Sequence, residues 1–404
     1  MGMEVFETEG YLGILKKELA PAQGCTEPVA AALAVARARE LLGDFPESVE
    51  LSVSRNILKN AMGVGIPGTK EYGLPMAAAL GAVYGNSQDG LKILAGVGPD
   101  AENCANKFLK QHSLKINLET SAPDRLYIRA SCRSGTGHEA AVVIAGSHDQ
   151  FVSEEIDGTE IATKENFSSQ ESAGNCFTME SIYAFIQNVP WERLRFLEQG
   201  ITLNMAMAEE GFSGRYGLAV GAGLWKDIAG EEDQQVYWKK AVSYAAAACD
   251  ARMDGCPLPV MSLAGSGNMG LTAGLSVDVM ARERRDDEET RLRAVALSEL
   301  VSIHIKRQLG KLSALCGCAV ASSVGASCAL VYLWGGTFLE IKNAIRLMIA
   351  DISGLICDGA KPGCALKIAT SLQAAYQCAV LAIQQRSPTV RDGIVAENVE
   401  DSIA

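Results

Sequence analysis

The chain has 404 residues, 48% of them apolar and 21% charged, which excludes a disordered polypeptide and gives a prior of two or three domains at about 150 residues each. Thirty-six basic residues against 48 acidic ones leave a formal charge of −12. No basic stripe is present to neutralise a phosphate backbone, so nucleic acid is excluded as a partner. The first residues, MGMEVFETEG, are acidic and lack the apolar stretch of a signal peptide, so a cytoplasmic protein with reduced thiols is expected.

In chain order, Glu9–Leu19 and Pro28–Leu42 carry apolar residues at helical spacing. From residue 47 the texture alternates, predicting strands at Val49–Val53, Leu114–Leu118, Leu126–Ala130 and Ala140–Ala145, with helices at Pro75–Val83 and Ala101–Gln111 between them. A polar run over Thr163–Ser172 reads as a linker. Beyond it the periodicity is helical: Thr178–Gln187, Leu197–Met207, Gln234–Cys249, Glu288–Gln308, Phe338–Ile352 and Ala365–Gln384. Leu312–Leu339 has no charged residue and is long enough to cross a bilayer, but its serines and glycines make a buried core helix or helix pair the better reading, with no membrane partner. The expected fold is α+β, a small mixed α/β block followed by a large all-helical domain. The division is N-terminal helices (1–45), an α+β domain (46–165) and an all-helical domain (166–404).

Twelve cysteines are unevenly spread, and six crowd the last quarter. Cys316-Gly-Cys318 and Cys357-Asp-Gly-Ala-Lys-Pro-Gly-Cys364 can fold thiolates from two segments onto one centre. Soft sulfur ligands suit zinc or an iron–sulfur cluster, and the spacing matches neither a paired zinc pattern nor a ferredoxin run. Buried structural thiols, a zinc clamp of all four cysteines and a cluster held by three all fit this spacing. Gly24-Cys25-Thr26-Glu27-Pro28 reads as a helix start with Thr26 as N-cap, which places Cys25 where the helix dipole favours a thiolate; the plainer reading is a cap with an incidental cysteine.

Gly265–Gly270 matches the dinucleotide pattern G-x-G-x-x-G, but a charged run from Arg282 replaces the second strand and its acid, so no nicotinamide site is expected. A glycine turn feeding a helix still suits a substrate carboxylate, held by Ser266, Gly267 and Asn268. Lys59 and Asn60 in the turn 59–69 could complete that clamp, or form an ordinary exit from a strand. His138 and His148 read as structural, and no lysine motif suggests pyridoxal phosphate.

GCTEP at 24–28, KNAMGVGIPGT at 59–69, SGNMG at 266–270, LCGC at 315–318 and CDGAKPGC at 357–364, in this order, resemble the L-cysteine desulfidase family, relatives of the iron–sulfur L-serine dehydratases. The resemblance implies a [4Fe-4S] lyase, independent of pyridoxal phosphate, that converts the small amino acid L-cysteine to pyruvate, ammonia and sulfide. It implies Cys25 as proton acceptor and Cys357, Cys364 and one cysteine of the CGC as cluster ligands, taken as Cys318 with Cys316 as the alternative. The Ser-His-Thr-Val-Gly-Pro segment associated with the dehydratases is absent, and the loop between the last two cysteines is shorter than theirs. L-serine dehydration is the nearest rival. A non-catalytic zinc-thiol regulator is the rival from another class and gives Cys25 no role. A homo-oligomer is compatible with this sequence.

Overall fold

The computed structural model describes residues 2–163, 177–228, 234–310 and 312–404. Its architecture is α+β, as expected: a six-stranded sheet with helices in the N-terminal part, then a helical body. Helix α1 (Gly2–Glu18) runs into strand β1 (Leu19–Gln23), followed by α2 (Thr26–Leu42), β2 (Ser48–Val53), α3 (Arg55–Ala61), α4 (Gly73–Val83) and α5 (Pro99–Gln111). Strands β3 (Ser113–Leu118), β4 (Tyr127–Arg133), β5 (Glu139–Ala145), β6 (Phe151–Ile156) and β7 (Thr159–Thr163) complete the sheet.

The sheet order is β3-β2-β4-β5-β6-β7; β2 and β3 are parallel and every other pair is antiparallel. The parallel pair needs a crossover, which α3, α4 and α5 supply. In β2 the side chains of Val49, Leu51 and Val53 are buried while Ser48, Glu50 and Ser52 are not, the alternation from which the strand was predicted. The alanines of α2 pack on that inner face and against α4. Strands β6 and β7 were not foreseen because they are polar; every residue of β7 is exposed at the sheet edge. Of the expected linker, residues 164–172 lie outside the described residues.

The helical body comprises α6 (Met179–Asn188), α7 (Leu197–Gly211), α8 (Val220–Asp227), α9 (Gln234–Met253), α10 (Gly267–Gly270), α11 (Ser276–Arg284), α12 (Glu288–Leu309), α13 (Ser323–Leu333), α14 (Phe338–Asp351), α15 (Cys364–Ile383) and α16 (Val399–Ile403), with β8 (Pro259–Leu263) ahead of α10. Its centre is α9. A Cβ on Gly211 of α7 would stand 2.0 Å from the Ala247 carbonyl, so the alanine run Ala245–Ala248 exists to let helices approach this closely. Two π-helical turns, Leu271–Leu275 and Cys318–Ser322, interrupt the helices that follow β8 and precede α13. Ser323 and Ser327 are fully buried, and each donates its hydroxyl to a main-chain carbonyl, of Ala319 and Ala375 respectively. The uncharged stretch 312–339 therefore contains a core helix. Helix α15 has the length and apolarity to cross a membrane, yet it buries Ile368, Leu372, Ala375 and Ala379 against α9, α13 and α14.

The first 45 residues divide between two cores. Tyr11, Leu12 and Leu15 of α1 pack into the helical body, whereas α2 packs on the sheet. The link between them is a two-stranded antiparallel ribbon in which β1 pairs with β8, Leu19 opposite Leu263 and Gln23 opposite Pro259.

Candidate active site

β1 is followed by Gly24, where φ is 67° and the Pro67 ring stands 2.4 Å from where a Cβ would be, so only glycine fits. Cys25 follows as the residue that caps α2, with φ −95° and ψ 134° and no capping bond from its side chain. The expected cap, Thr26, is instead the first helical residue. Its Oγ1 donates to Glu27 Oε2 at 3.3 Å.

Cys25 is only 6% exposed, and its Sγ–H donates to Glu27 Oε2 at 2.9 Å. This corrects the expectation of a thiolate stabilised by the helix dipole. Burial pushes the Cys25 thiol well above its ordinary range and the Glu27 charge pushes it further, with Arg252 offsetting part of the rise. Glu27 is buried too, which by itself would raise its pKa; His148, the Cys25 thiol and the Asn60 amide outweigh that and hold it below the ordinary carboxylate value. Asn60 Nδ2 donates to Glu27 Oε1 at 2.8 Å. The result is a buried thiol hydrogen-bonded to an ionised carboxylate, which is in turn fixed by an amide, the arrangement by which a neighbouring base activates a thiol.

Asn60 is thus engaged with Glu27, and its Oδ1 has no partner among the described residues. Lys59, in the last turn of α3, donates to the Ser313 carbonyl at 3.3 Å. Ser266 caps α10 by accepting from the Met269 amide at 3.4 Å. Asn268 Oδ1 accepts from Arg252 Nη1 at 2.9 Å, and Arg252 Nη2 donates to the Gly24 carbonyl at 2.6 Å. A Cβ on Gly267 would stand 2.4 Å from Arg252 Nε. Arg252, at the end of α9 and only 5% exposed, therefore ties the GCTEP turn to the SGNMG turn, and among the described residues none of its hydrogen-bond partners carries a negative charge. Sequence reasoning missed Arg252 and Glu27 as a partner of Cys25; His148, read as structural, acts here only through its charge on Glu27. The one available signal for Arg252 was Gly267, whose missing side chain leaves room for the guanidinium.

The cysteine segments meet the same region. Leu315 and Ile356 form an antiparallel bridge, flanked by Cys316 N–H to Leu355 O at 2.9 Å and Cys357 N–H to Ala314 O at 2.8 Å. Cys364 opens α15 with its Sγ 3.6 Å from the Gly359 carbonyl. Cys316, Cys357 and Cys364 are half-buried and Cys318 is buried. The Cys316 and Cys318 thiols are hydrogen-bonded to one another, which draws the Cys316 pKa down and raises that of Cys318. Cys249 on α9, buried and with its thiol pKa pushed up by burial, lies within charge range of Cys364 and Cys316.

Neighbouring motifs are packed on these cysteine segments: a Cβ on Gly359 would strike the Lys59 carbonyl at 2.1 Å, and one on Gly317 would stand 3.0 Å from the Met269 sulfur. Lys306 of α12 is within charge range of Cys318, Cys357 and Glu27; burial lowers its pKa, and those groups work in the opposite direction. All five motifs are therefore contiguous.

Among the described residues, no three His, Cys, Asp or Glu side chains are grouped as ligands of one metal ion. A four-iron cluster is wider than one ion and needs its thiolates further apart. The donors gathered from the 316–318 turn and the 357–364 loop are soft thiols, the ligand chemistry that iron–sulfur clusters take.

A model of the family described as serine dehydratase alpha chain matches residues 89–404. The chain belongs to that family. Membership makes it an iron–sulfur lyase of the dehydratase kind. The matched residues include SGNMG and every cysteine of the 316–364 group, and exclude GCTEP and the turn 59–69. Full-length relatives cover those as well: UPF0597 proteins of Bacteroides thetaiotaomicron (42% identical, over 98% of this chain and 92% of the relative), Caldanaerobacter subterraneus (41%, over 96% and 92%) and Porphyromonas gingivalis (40%, over 99% and 94%).

Proposed function

We propose that this family member is an L-cysteine desulfidase, catalysing β-elimination of L-cysteine to pyruvate, ammonia and sulfide. The observation that carries the reading is the Cys25–Glu27 pair beside the gathered thiols, two features that a metal-storing or regulatory protein has no need to combine. Cys318, Cys357 and Cys364 would hold the [4Fe-4S] cluster, which when bound supplies a Lewis-acidic iron for the departing sulfur.

The rest of the chemistry falls to side chains. Cys25 passes its proton to Glu27 and, as thiolate, takes the proton from Cα of the substrate. The electron pair of that C–H bond forms the Cα–Cβ double bond, and the Cβ–S bond breaks with release of hydrosulfide. Asn60 keeps Glu27 oriented to accept the thiol proton; the Cα proton restores the Cys25 thiol, and Glu27 gives its proton to the departing hydrosulfide, which leaves as hydrogen sulfide. The substrate carboxylate is placed at the start of the helix beginning with Gly267, where the first amides have no intrahelical partners and the Arg252 charge lies alongside. Aminoacrylate leaves and hydrolyses to pyruvate and ammonia in water.

L-serine dehydration is the second reading, favoured by the family description. Assays of both amino acids under anaerobic conditions separate the two. For the mechanism, Cys25→Ala should keep its iron and still bind L-cysteine, while exchange of the substrate Cα hydrogen with deuterated water stops together with sulfide release. The loss should be about 10²–10⁴-fold, the usual contribution of a general base. Near-normal turnover, or loss of iron along with activity, sinks the assignment.

A further inference from the structure

Against the β1–β8 ribbon lies a cavity of about 300 Å³, lined by residues of α1, α7 and α12 and not by Cys25. At ~30 Å³ for each water-sized unit it has room for roughly ten heavy atoms. Its walls are aliphatic and aromatic: Leu197 and Ile201 of α7, Phe196 before it, and Met261 of β8. Glu299 of α12, only 5% exposed, reaches into it.

Glu299 is an anomaly. Its Oε2 is buried without a hydrogen-bond partner, and no cation among the described residues pairs with it. Burial alone pushes its pKa up to about 8. Gly274, in the π-helical turn Leu271–Leu275, leaves room for it, because Glu299 Oε1 stands 3.0 Å from where a Cβ on Gly274 would be. Single π turns inside α-helices are frequent at functional sites. At the other end, Lys16 of α1 lines the cavity, exposed, with its Nζ 5.5 Å from the Phe196 ring centroid. The cavity therefore has an acid at its floor, a cation at its mouth and an apolar wall between.

We propose that this cavity is a second binding site, for a small aliphatic primary amine, and that an aliphatic α-amino acid is the ligand that would use both of its charged ends. The ammonium pairs with Glu299, the hydrocarbon lies on Leu197, Ile201 and Met261, and a carboxylate, where present, meets Lys16. A hard metal cation is the poorer occupant, because it requires six or more oxygen ligands and the cavity presents one carboxylate among mostly apolar side chains. A ligand here would brace the ribbon that carries Cys25, since Pro21 of β1 and Met261 of β8 are cavity walls. The inference is independent of which amino acid the active site consumes.

The test is calorimetric titration of the anaerobically purified full-length protein with three probes: L-leucine, 3-methylbutylamine (leucine without its carboxylate) and 4-methylpentanoate (leucine without its ammonium). The first two should bind and the third should not. Glu299→Gln should weaken both amines at least tenfold, Lys16→Ala should weaken L-leucine alone, and Gln199→Trp, an exposed position at the mouth, should block both. Iron content and L-cysteine turnover without added amine should be unchanged in Glu299→Gln and Gln199→Trp, which separates a lost ligand from a lost fold. No binding of either amine at about 10 mM overturns the proposal. So does binding indifferent to Glu299→Gln and Gln199→Trp, which would instead place the amine in the active site.

Discussion

Replacing Glu27 by Gln tests the proton path at one atom. The substitution keeps the side chain's shape, and the amide oxygen can still accept from Asn60 Nδ2, now 2.8 Å from Glu27 Oε1. What disappears is the charged acceptor 2.9 Å from Cys25 Sγ. Two consequences of opposite sign follow. The Glu27 charge and hydrogen bond both raise the Cys25 thiol pKa, so in Glu27→Gln the pH at which Cys25 becomes a thiolate moves down. Alkylation of Cys25, followed by mass spectrometry of its peptide, should therefore reach half-maximal rate at lower pH than in the wild type. Turnover should nevertheless fall, because the thiol proton no longer has a carboxylate to receive it when substrate is bound. A general base contributes ~10²–10⁴-fold, and loss at the lower end corresponds to about 2.7 kcal/mol on the barrier at ~1.36 kcal/mol per tenfold. The assays are anaerobic sulfide release and iron per chain. A thiol that titrates lower while kcat stays within about threefold of wild type would refute the role given to Glu27; loss of iron would make it a structural residue instead.

Cys357→Ser and Cys364→Ser should each yield protein with little bound iron and no lyase activity, because serine oxygen is a poor substitute for thiolate on iron, while Cys378→Ser, buried within α15 and 3.9 Å from Asp351 Oδ2, should retain both. The same iron measurement on Cys316→Ser and Cys318→Ser identifies the ligand of that pair. Arg252→Lys should lower kcat/KM for L-cysteine about tenfold or more with iron retained, since an ammonium does not offer the planar fork that bonds Gly24 O and Asn268 Oδ1 together. Glu299, whose folded pKa of about 8 lies above the ordinary 4.5, binds more protons folded than unfolded in that window. Its contribution to stability should be full below about pH 4.5 and decline as pH rises towards 8. The melting temperature of Glu299→Gln relative to wild type should accordingly rise from pH 5 to pH 8, and a constant difference would contradict the raised pKa.

The sheet was largely legible because β2 and β4 alternate buried and more accessible residues and β5 is a short apolar run, and the long helices were legible from their apolar repeats. Strand β1 was not, since Leu19–Gln23 contains Pro21 and no alternation, and its partner is β8 far along the chain. The cysteine motifs announced themselves by composition. The partners of Cys25 did not: Glu27 looked like an acid placed for the helix dipole, and only folding brings Asn60, 33 residues away, against its other oxygen. Arg252 closes a helix with nothing local to mark it, and its importance lies in two acceptors, one of them 228 residues distant. Long-range polar partners leave no periodic trace, which is why the motifs could be found while their wiring could not.

The ribbon also sets a schedule for synthesis. Its paired residues are 236 to 244 positions apart, so β1 emerges from the ribosome long before β8 exists. At about 5–20 residues per second the wait is roughly 12–50 s. Throughout it, the main-chain groups of Leu19–Gln23 have no partner strand, and an unpaired edge is a template for pairing with another chain. The proline in the middle of β1 removes one donor from that edge and makes it a poorer template, so the residue that hid the strand from sequence reading also protects the nascent polypeptide until its partner arrives.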